Sequence, residues 1–333
     1  MLTCVPGSED IVKSELLSYF SNIANIQIER GKVYFSTNLD YKLFFCLKCI
    51  DNIYAVIDRF RIGQHKEDLD DFYKKITRLN IKKILTSLNI NCKRIIVSAS
   101  RNGKHTYSRF EISDKAAEAM VKTYNFILGD EKNHDVAFRV DVNNDVCVFS
   151  LQISSSEFRF RGRDFTTSRG GIRPSVAHCL VRLSNPKNDD IFYDPFCGSG
   201  TIPYERMNYK YKKIFASDIS PDVLNIAQTN LDDSVITFQS DACNTKMKNN
   251  SVDVVVTNLP WGKQINIDNL QDLYDCFFKE LKRIMKNDGR ALMLTNQDEL
   301  IYTMGSKHLF TINKLVEFSL HGLHPSVYYL SNM

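Results

Sequence analysis

Asn258, Leu259, Pro260 and Trp261 combine side chains able to grip an amine on a flat ring. They directly follow the apolar run Val254-Val255-Val256-Thr257, which reads as a buried strand. Proline fixes φ and carries no N–H, so the Leu259 carbonyl can turn into a pocket instead of joining a ladder. The Asn258 amide and that carbonyl would accept hydrogen bonds from an exocyclic NH2 group. Trp261 would offer a face for stacking on a base. Alone, the tetrapeptide is a weak signal, and its weight comes from what lies upstream.

Upstream stands a glycine turn, Asp194-Pro195-Phe196-Cys197-Gly198-Ser199-Gly200-Thr201, placed between a predicted strand, Ile191 to Asp194, and a predicted helix, 202–209. Gly198 and Gly200 let backbone approach a ligand closely. No Gly-Lys-Ser/Thr follows, so the turn is not a P-loop. Pro203-Tyr204 stand where a dinucleotide fingerprint would carry its third glycine. Asp218, followed by Ile219, closes the next strand and suits two ribose hydroxyls. Asp241, followed by Ala242, closes the third and could accept from an adenine amino group. In an open α/β sheet all these groups fall along the carboxyl edge, where ligands bind. Any one of the acids by itself is more often a turn or cap residue; the ordered set is much more specific.

The elements that must position this set read as alternating strand and helix from Pro174 onward. They are helix 174–184, the strand to Asp194, strand Lys213 to Ser217, helix 221–231, strand Val235 to Gln239, strand Val252 to Thr257, helix 270–286 and strand Arg290 to Thr295. Such alternation predicts a parallel sheet covered by helices on both faces. Before it, the pattern predicts an α+β unit. Its helix 9–20 is capped by Ser8, with Ile11, Val12, Leu16, Leu17 and Phe20 on one side. Strand Lys32 to Ser36, helix Leu39 to Lys48 and strand Ile53 to Phe60 complete it. A second such unit follows, with helix 68–88, strand Arg94 to Ala99, helix 114–128, and strands Val136 to Val142 and Val146 to Ile153 joined by an Asn143-Asn144-Asp145 turn.

The chain has 333 residues and a formal net charge of +4, unevenly placed. Residues 61–173 hold 21 Lys and Arg against 14 Asp and Glu, while the flanks are slightly acidic. A basic middle suits a polyanion-binding module beside a near-neutral catalytic one, and equally a solvated basic surface. Within it, Arg159, Arg161, Arg163, Arg169 and Arg173 interleave with Phe158, Phe160 and Phe165, a composition suited to phosphates and unstacked bases. The alternative is that the phenylalanines extend a sheet. The nine cysteines lie mostly in apolar runs and read as reduced core thiols. Cys46 and Cys49 form a lone C-x-x-C without a second pair, so no metal set is expected. No apolar run spans a bilayer and no secretion signal opens the chain, which points to the cytoplasm.

Taken together, these residues resemble the THUMP-domain class I S-adenosylmethionine-dependent RNA (guanine-N2)-methyltransferases, nearest to the group acting on tRNA guanine 6. The resemblance rests on Asp194 to Glu205 (DPFCGSGTIPYE), Asn258 to Gly262 (NLPWG), Arg169 to Ala177 (RGGIRPSVA) and Gly322 to Tyr328 (GLHPSVY). It implies a Rossmann-like α/β methyltransferase domain over 174–333. A ferredoxin-like α+β domain (1–60), a THUMP RNA-binding domain (61–156) and a basic linker (157–173) would precede it. It also implies that Asp194, Pro195, Cys197, Gly198, Ser199, Gly200, Thr201, Asp218, Ile219, Asp241, Ala242 and Asn258 bind S-adenosyl-L-methionine. Within that set Asp194 would meet the amino group, Asp218 the ribose and Asp241 the adenine. Asn258, Leu259, Pro260 and Trp261 would hold guanine. The implied partners are tRNA and a small Trm112-like activator subunit, acting on a monomer.

Relatives commonly carry N-P-P-Y, so Leu259 and Trp261 depart from that pattern. Asn258 in place of an acid is a weak proton acceptor, which suits an amine that needs orientation more than a base. Several alternatives stay open: another guanine (tRNA position 10, snRNA or rRNA), adenine N6, glutamine N5, or a tRNA-binding protein without turnover. Cytosine C5 chemistry would want a cysteine after Pro260, where Trp261 stands.

Overall fold

The computed structural model describes residues 1–162, 166, 170–261, 270–320 and 322–333. Arg163, Phe165, Arg169 and Gly262 of the sequence reading lie outside the described residues. Two compact units emerge, one of residues 1–2 and 52–155, the other of 3–51 and 156–333. No described helix is long and apolar enough to cross a membrane.

The chain opens with β1 (Leu2–Thr3), α1 (Glu9–Tyr19), β2 (Ala24–Glu29) and β3 (Lys32–Ser36). Ile11, Val12 and Leu16 are buried on α1 as its spacing predicts, whereas Leu17 is exposed because it projects from the other side of the helix. Ser8 precedes the helix, but its hydroxyl donates to the Val5 carbonyl, 2.7 Å away, and makes no cap bond. The helix expected over 39–48 is a 3-10 turn at Tyr41–Cys46, started by Asp40 accepting from the Lys42 amide.

The first unit contains β4 (Asn52–Arg61), α2 (Asp68–Thr77), α3 (Ile81–Ser87), β5 (Arg94–Asn102), α4 (Arg109–Tyr124), β6 (Ile127–Leu128), β7 (Val136–Asn143) and β8 (Val146–Gln152). Its strands run β4-β8-β7-β5-β6, and the helices cover a core of Phe72, Ile76, Ile112, Met120, Phe138 and Phe149. The single helix expected over 68–88 is broken. Asn80 caps α3 by accepting from the Lys83 amide, while the Tyr124 hydroxyl bonds the carbonyls of Ile76 and Leu79 that end α2. Helix α4 starts earlier than the apolar spacing suggests, because Ser108 and Glu111 form a reciprocal capping box. It ends at Asn125, in the left-handed region.

In the second unit, α5 (Pro174–Leu183), β9 (Ile191–Asp194), α6 (Thr201–Arg206), β10 (Lys213–Asp218), α7 (Pro221–Asn230), β11 (Val235–Gln239), β12 (Val252–Asn258), α8 (Leu270–Ile284), β13 (Met285–Thr295), α9 (Asp298–Lys307), β14 (Phe310–Glu317) and β15 (Ser326–Asn332) follow in order. They form a seven-stranded sheet, β11-β10-β9-β12-β13-β15-β14. The central pairings are parallel, as the alternation predicts. The sheet is nevertheless mixed, since β15 inserts antiparallel between β13 and β14. A hairpin return supplies that strand without a crossover helix. Phe277, Phe278, Leu281, Met293 and Tyr328 are fully buried in the core beneath this sheet.

Candidate active site

Strands β9, β10, β11 and β12 are neighbours or near neighbours in the sheet. Their carboxyl ends therefore meet on one edge, at the point where chain order reverses between β9 and β12. A cavity of about 530 Å³ opens there. Its lining includes Asp194, Pro195, Cys197, Gly198, Ser199, Thr201, Asp218, Ile219, Asp241, Ala242, Asn258, Leu259, Pro260 and Trp261. Of the residues singled out in the sequence, Gly200 alone does not line it. Gly200 has φ +85°, and a Cβ there would meet Leu231 Cδ1 at 2.9 Å. It serves the turn and the packing of α7 behind it.

Asp194 is fully buried. Its Oδ1 accepts from the Thr257 hydroxyl at 2.7 Å and from the Phe196 amide at 3.2 Å, while Oδ2 has no partner. Burial, with the Asp218 carboxylate nearby, pushes its titration up to about 7 despite those two bonds. An ammonium group delivered to Oδ2 would relieve this cost. Asp218 holds the turn itself, accepting from the Gly198 amide at 3.0 Å and the Ser220 amide at 3.0 Å. Each of its oxygens keeps a second lone pair for a ligand hydroxyl. Asp241 is exposed and accepts from the Cys243 amide at 2.8 Å.

The tetrapeptide is held rigidly at the end of β12. Register with β13 continues to Asn258 opposite Leu294, and the Leu259 amide donates to the Leu294 carbonyl at 3.0 Å. The Tyr274 hydroxyl donates to the Pro260 carbonyl at 3.1 Å, and the Gln297 side chain donates to the Trp261 carbonyl at 2.9 Å. Trp261 is 8% exposed, and its indole N–H reaches the Leu294 carbonyl at 3.4 Å. The Asn258 amide group donates to the Gly170 carbonyl at 3.4 Å. That orients Asn258 Oδ1, which is buried and unpartnered, as an acceptor.

Several cavity residues were given no role in the sequence reading. Phe196, Ile202, Ser220, Val223 and Leu273 supply much of the remaining wall, and Gly170 to Ile172 close one side. Thr257 directly precedes Asn258 on a strand parallel to β9, one residue past the level of Asp194, and its hydroxyl reaches that carboxylate. Tyr274 and Gln297 had no local signal. Cys243 and Cys276 are brought side by side, with Cα atoms 5.1 Å apart. Helix α8 lays Cys276 over the turn after Asp241, a proximity that separation in sequence conceals.

Seven strands in this order, one reversed, with a glycine turn and acids along the carboxyl edge, define a class I methyltransferase domain. A model of the RMKL-like methyltransferase domain family, UPF0020, matches residues 161–324, and the THUMP domain model matches residues 66–152. The two matches describe a THUMP domain followed by a methyltransferase domain of this class. It is 26% identical to the tRNA (guanine(6)-N2)-methyltransferase of Methanocaldococcus jannaschii, over 99% of each chain. Its fold matches that of TrmN from Thermus thermophilus with a TM-score of 0.83 and 21% identity, over 100% of this chain and 98% of that one. It also matches SMU.472 complexed with SAH, with a TM-score of 0.79 and 18% identity over 100% and 97%.

S-adenosylmethionine is the cofactor of this class, and the residues present fit it. Three buried polar atoms that lack partners belong to cavity residues: Asp194 Oδ2, Ser199 Oγ and Asn258 Oδ1. The cavity is also large enough for a nucleoside with an amino-acid tail.

Proposed function

We propose that the chain methylates the exocyclic N2 of a guanosine in tRNA, at position 6 of the acceptor stem, giving N2-methylguanosine. The observation that carries this reading is the sharing of one cavity by the glycine turn and the Asn258-to-Trp261 segment. A group with an ammonium tail and a ring bearing NH2 would meet there. The relative from Methanocaldococcus jannaschii, similar over its full length, bears a name that specifies guanine 6 and N2. Action in the cytoplasm and assistance by a small activator subunit belong to the same reading and are tested by fractionation and by co-purification.

In this reading the bound cofactor supplies an electrophilic methyl group. Asp194 neutralises the ammonium tail, Asp218 holds the ribose and Asp241 meets the adenine. Asn258 Oδ1 and the Leu259 carbonyl accept from guanine N2–H, which aims the nitrogen lone pair at the methyl. Trp261 closes the pocket against the base. Catalysis then comes chiefly from positioning, and the N2 proton leaves to water after transfer. A paired target base must be flipped out of its stem first.

Incubating the protein with tRNA transcripts and methyl-labelled cofactor, followed by digestion to nucleosides, tests this reading. Label in N2-methylguanosine is expected. Label solely in another nucleoside would overturn the guanine-N2 assignment, and tRNA binding without transfer would favour the non-catalytic alternative.

A further inference from the structure

Away from the cavity, the second unit contains a buried cluster that methyl transfer does not use. Glu15 on α1, Cys49 beyond the Tyr41–Cys46 turn and His178 on α5 are all buried. One ligand atom from each, a carboxylate oxygen, the thiol and a ring nitrogen, lie within 4.8 Å of one another. His178 Nδ1 is 2.8 Å from Glu205 Oε2, and Glu205 Oε1 accepts from Arg161 Nε at 2.8 Å. His178 Nε2 therefore faces Glu15 Oε1, 3.5 Å away.

We infer that Glu15, Cys49 and His178 form a binding site for a divalent transition-metal ion, with zinc the best match to a mixed N, S and O donor set. Three features carry this. First, a carboxylate on the far nitrogen of a metal-binding histidine fixes its tautomer and its aim, and Glu205, itself held by Arg161, stands there. Second, bonds to zinc of about 2.0–2.3 Å in a tetrahedron place neighbouring ligand atoms roughly 3.3–3.7 Å apart. The Nε2 to Oε1 separation is already within that range. Third, the fully buried side chains comprise two carboxylates, Glu15 and Glu205, against one guanidinium, Arg161; Lys48 and Arg182 are only partly covered. With His178 as a neutral ligand, a divalent ion and the Cys49 thiolate together add one net positive charge and complete the balance.

Binding displaces the Cys49 proton to solvent. Glu15 can bind metal while its oxygens still accept from the Lys48 and Cys49 amides, since each carboxylate oxygen has two lone pairs. The Tyr209 hydroxyl hydrogen-bonds Nε2 at 3.0 Å, and the ion takes its place on that nitrogen. The cluster is buried, so a bound ion fastens the segment around Cys49 to α1 and α5. Its Cys46 neighbour is exposed and takes no part, so the C-x-x-C spacing is incidental.

The full chain, purified without chelator, is analysed for bound metal, and metal-free protein is then titrated with cobalt(II). About one zinc per chain is expected, together with a sulfur-to-cobalt charge-transfer band that Cys49→Ser abolishes and Cys46→Ser retains. A folded wild-type chain that holds no metal through dialysis and gives no such band overturns the site. So does loss of the band in Cys46→Ser. Both wild-type readouts need no substitution, so failure of a variant to fold does not obscure the result.

Discussion

The role proposed for Asp194 makes cofactor binding depend on pH in a direction the structure dictates. Its carboxyl titrates at about 7 instead of the ordinary 3.8, so the ionised form is about 4 kcal/mol less favourable in the empty pocket than in water. A ligand whose ammonium meets Oδ2 binds the ionised form. Below pH 7 that form is the minority, about one-tenth at pH 6, and the apparent dissociation constant rises about tenfold per pH unit. Above pH 8 it is flat. The same linkage makes the empty protein lose this group's contribution as pH rises from about 4 through 7, because the unfolded carboxyl ionises first. Binding of S-adenosylhomocysteine, measured calorimetrically between pH 6 and 8 in buffers of different ionisation enthalpy, reads both affinity and proton release. Asp194→Asn should bind weakly and without the slope. A wild-type affinity unchanged across that range, or an equal slope in Asp194→Asn, would refute the assigned role.

Replacing Asn258 by Ala removes the buried acceptor but no tRNA surface; methyl transfer should fall about 100-fold or more, with tRNA affinity by filter binding unchanged. Gly200→Ala places a Cβ against Leu231 at φ +85° and should lower stability by roughly 1–3 kcal/mol, read as a shifted thermal melt. Tyr274→Phe strips the hydroxyl from the Pro260 carbonyl and Thr295 and should cost about 1 kcal/mol in stability, with a larger loss in kcat than in KM. Because the excess of positive charge lies in residues 61–173, tRNA affinity should fall linearly in log–log form with added salt; a salt-independent affinity would contradict a phosphate-based contact.

Much of the catalytic edge was legible because its signals are local. An apolar strand such as Val254 to Thr257 announces its own end, and Asp194, Asp218 and Asp241 each close such a run. The glycines between β9 and α6 are visible for the same reason. What stayed hidden depends on direction and distance. The antiparallel setting of β15 is a tertiary property that residues Ser326 to Asn332 do not encode locally. β2 escaped notice because it is short and largely exposed, although Ala24, Ile26 and Ile28 alternate with polar residues. The break between α2 and α3 is completed by Tyr124, far along the chain. The contacts of Glu15 and Cys49 with His178 join residues more than a hundred positions apart, and no spacing rule reaches that far. Trp261, expected to present a stacking face, lines the cavity with 8% of its surface exposed and its N–H tied to β13.

The measurement that tests the central claim most directly is site mapping of modified nucleosides in tRNA from cells with and without this gene, with purified protein added back to the unmodified pool. The account predicts loss of N2-methylguanosine at one acceptor-stem position and its restoration by the wild-type chain but not by Asn258→Ala. An unchanged N2-methylguanosine map, with a different base left unmethylated, would contradict it.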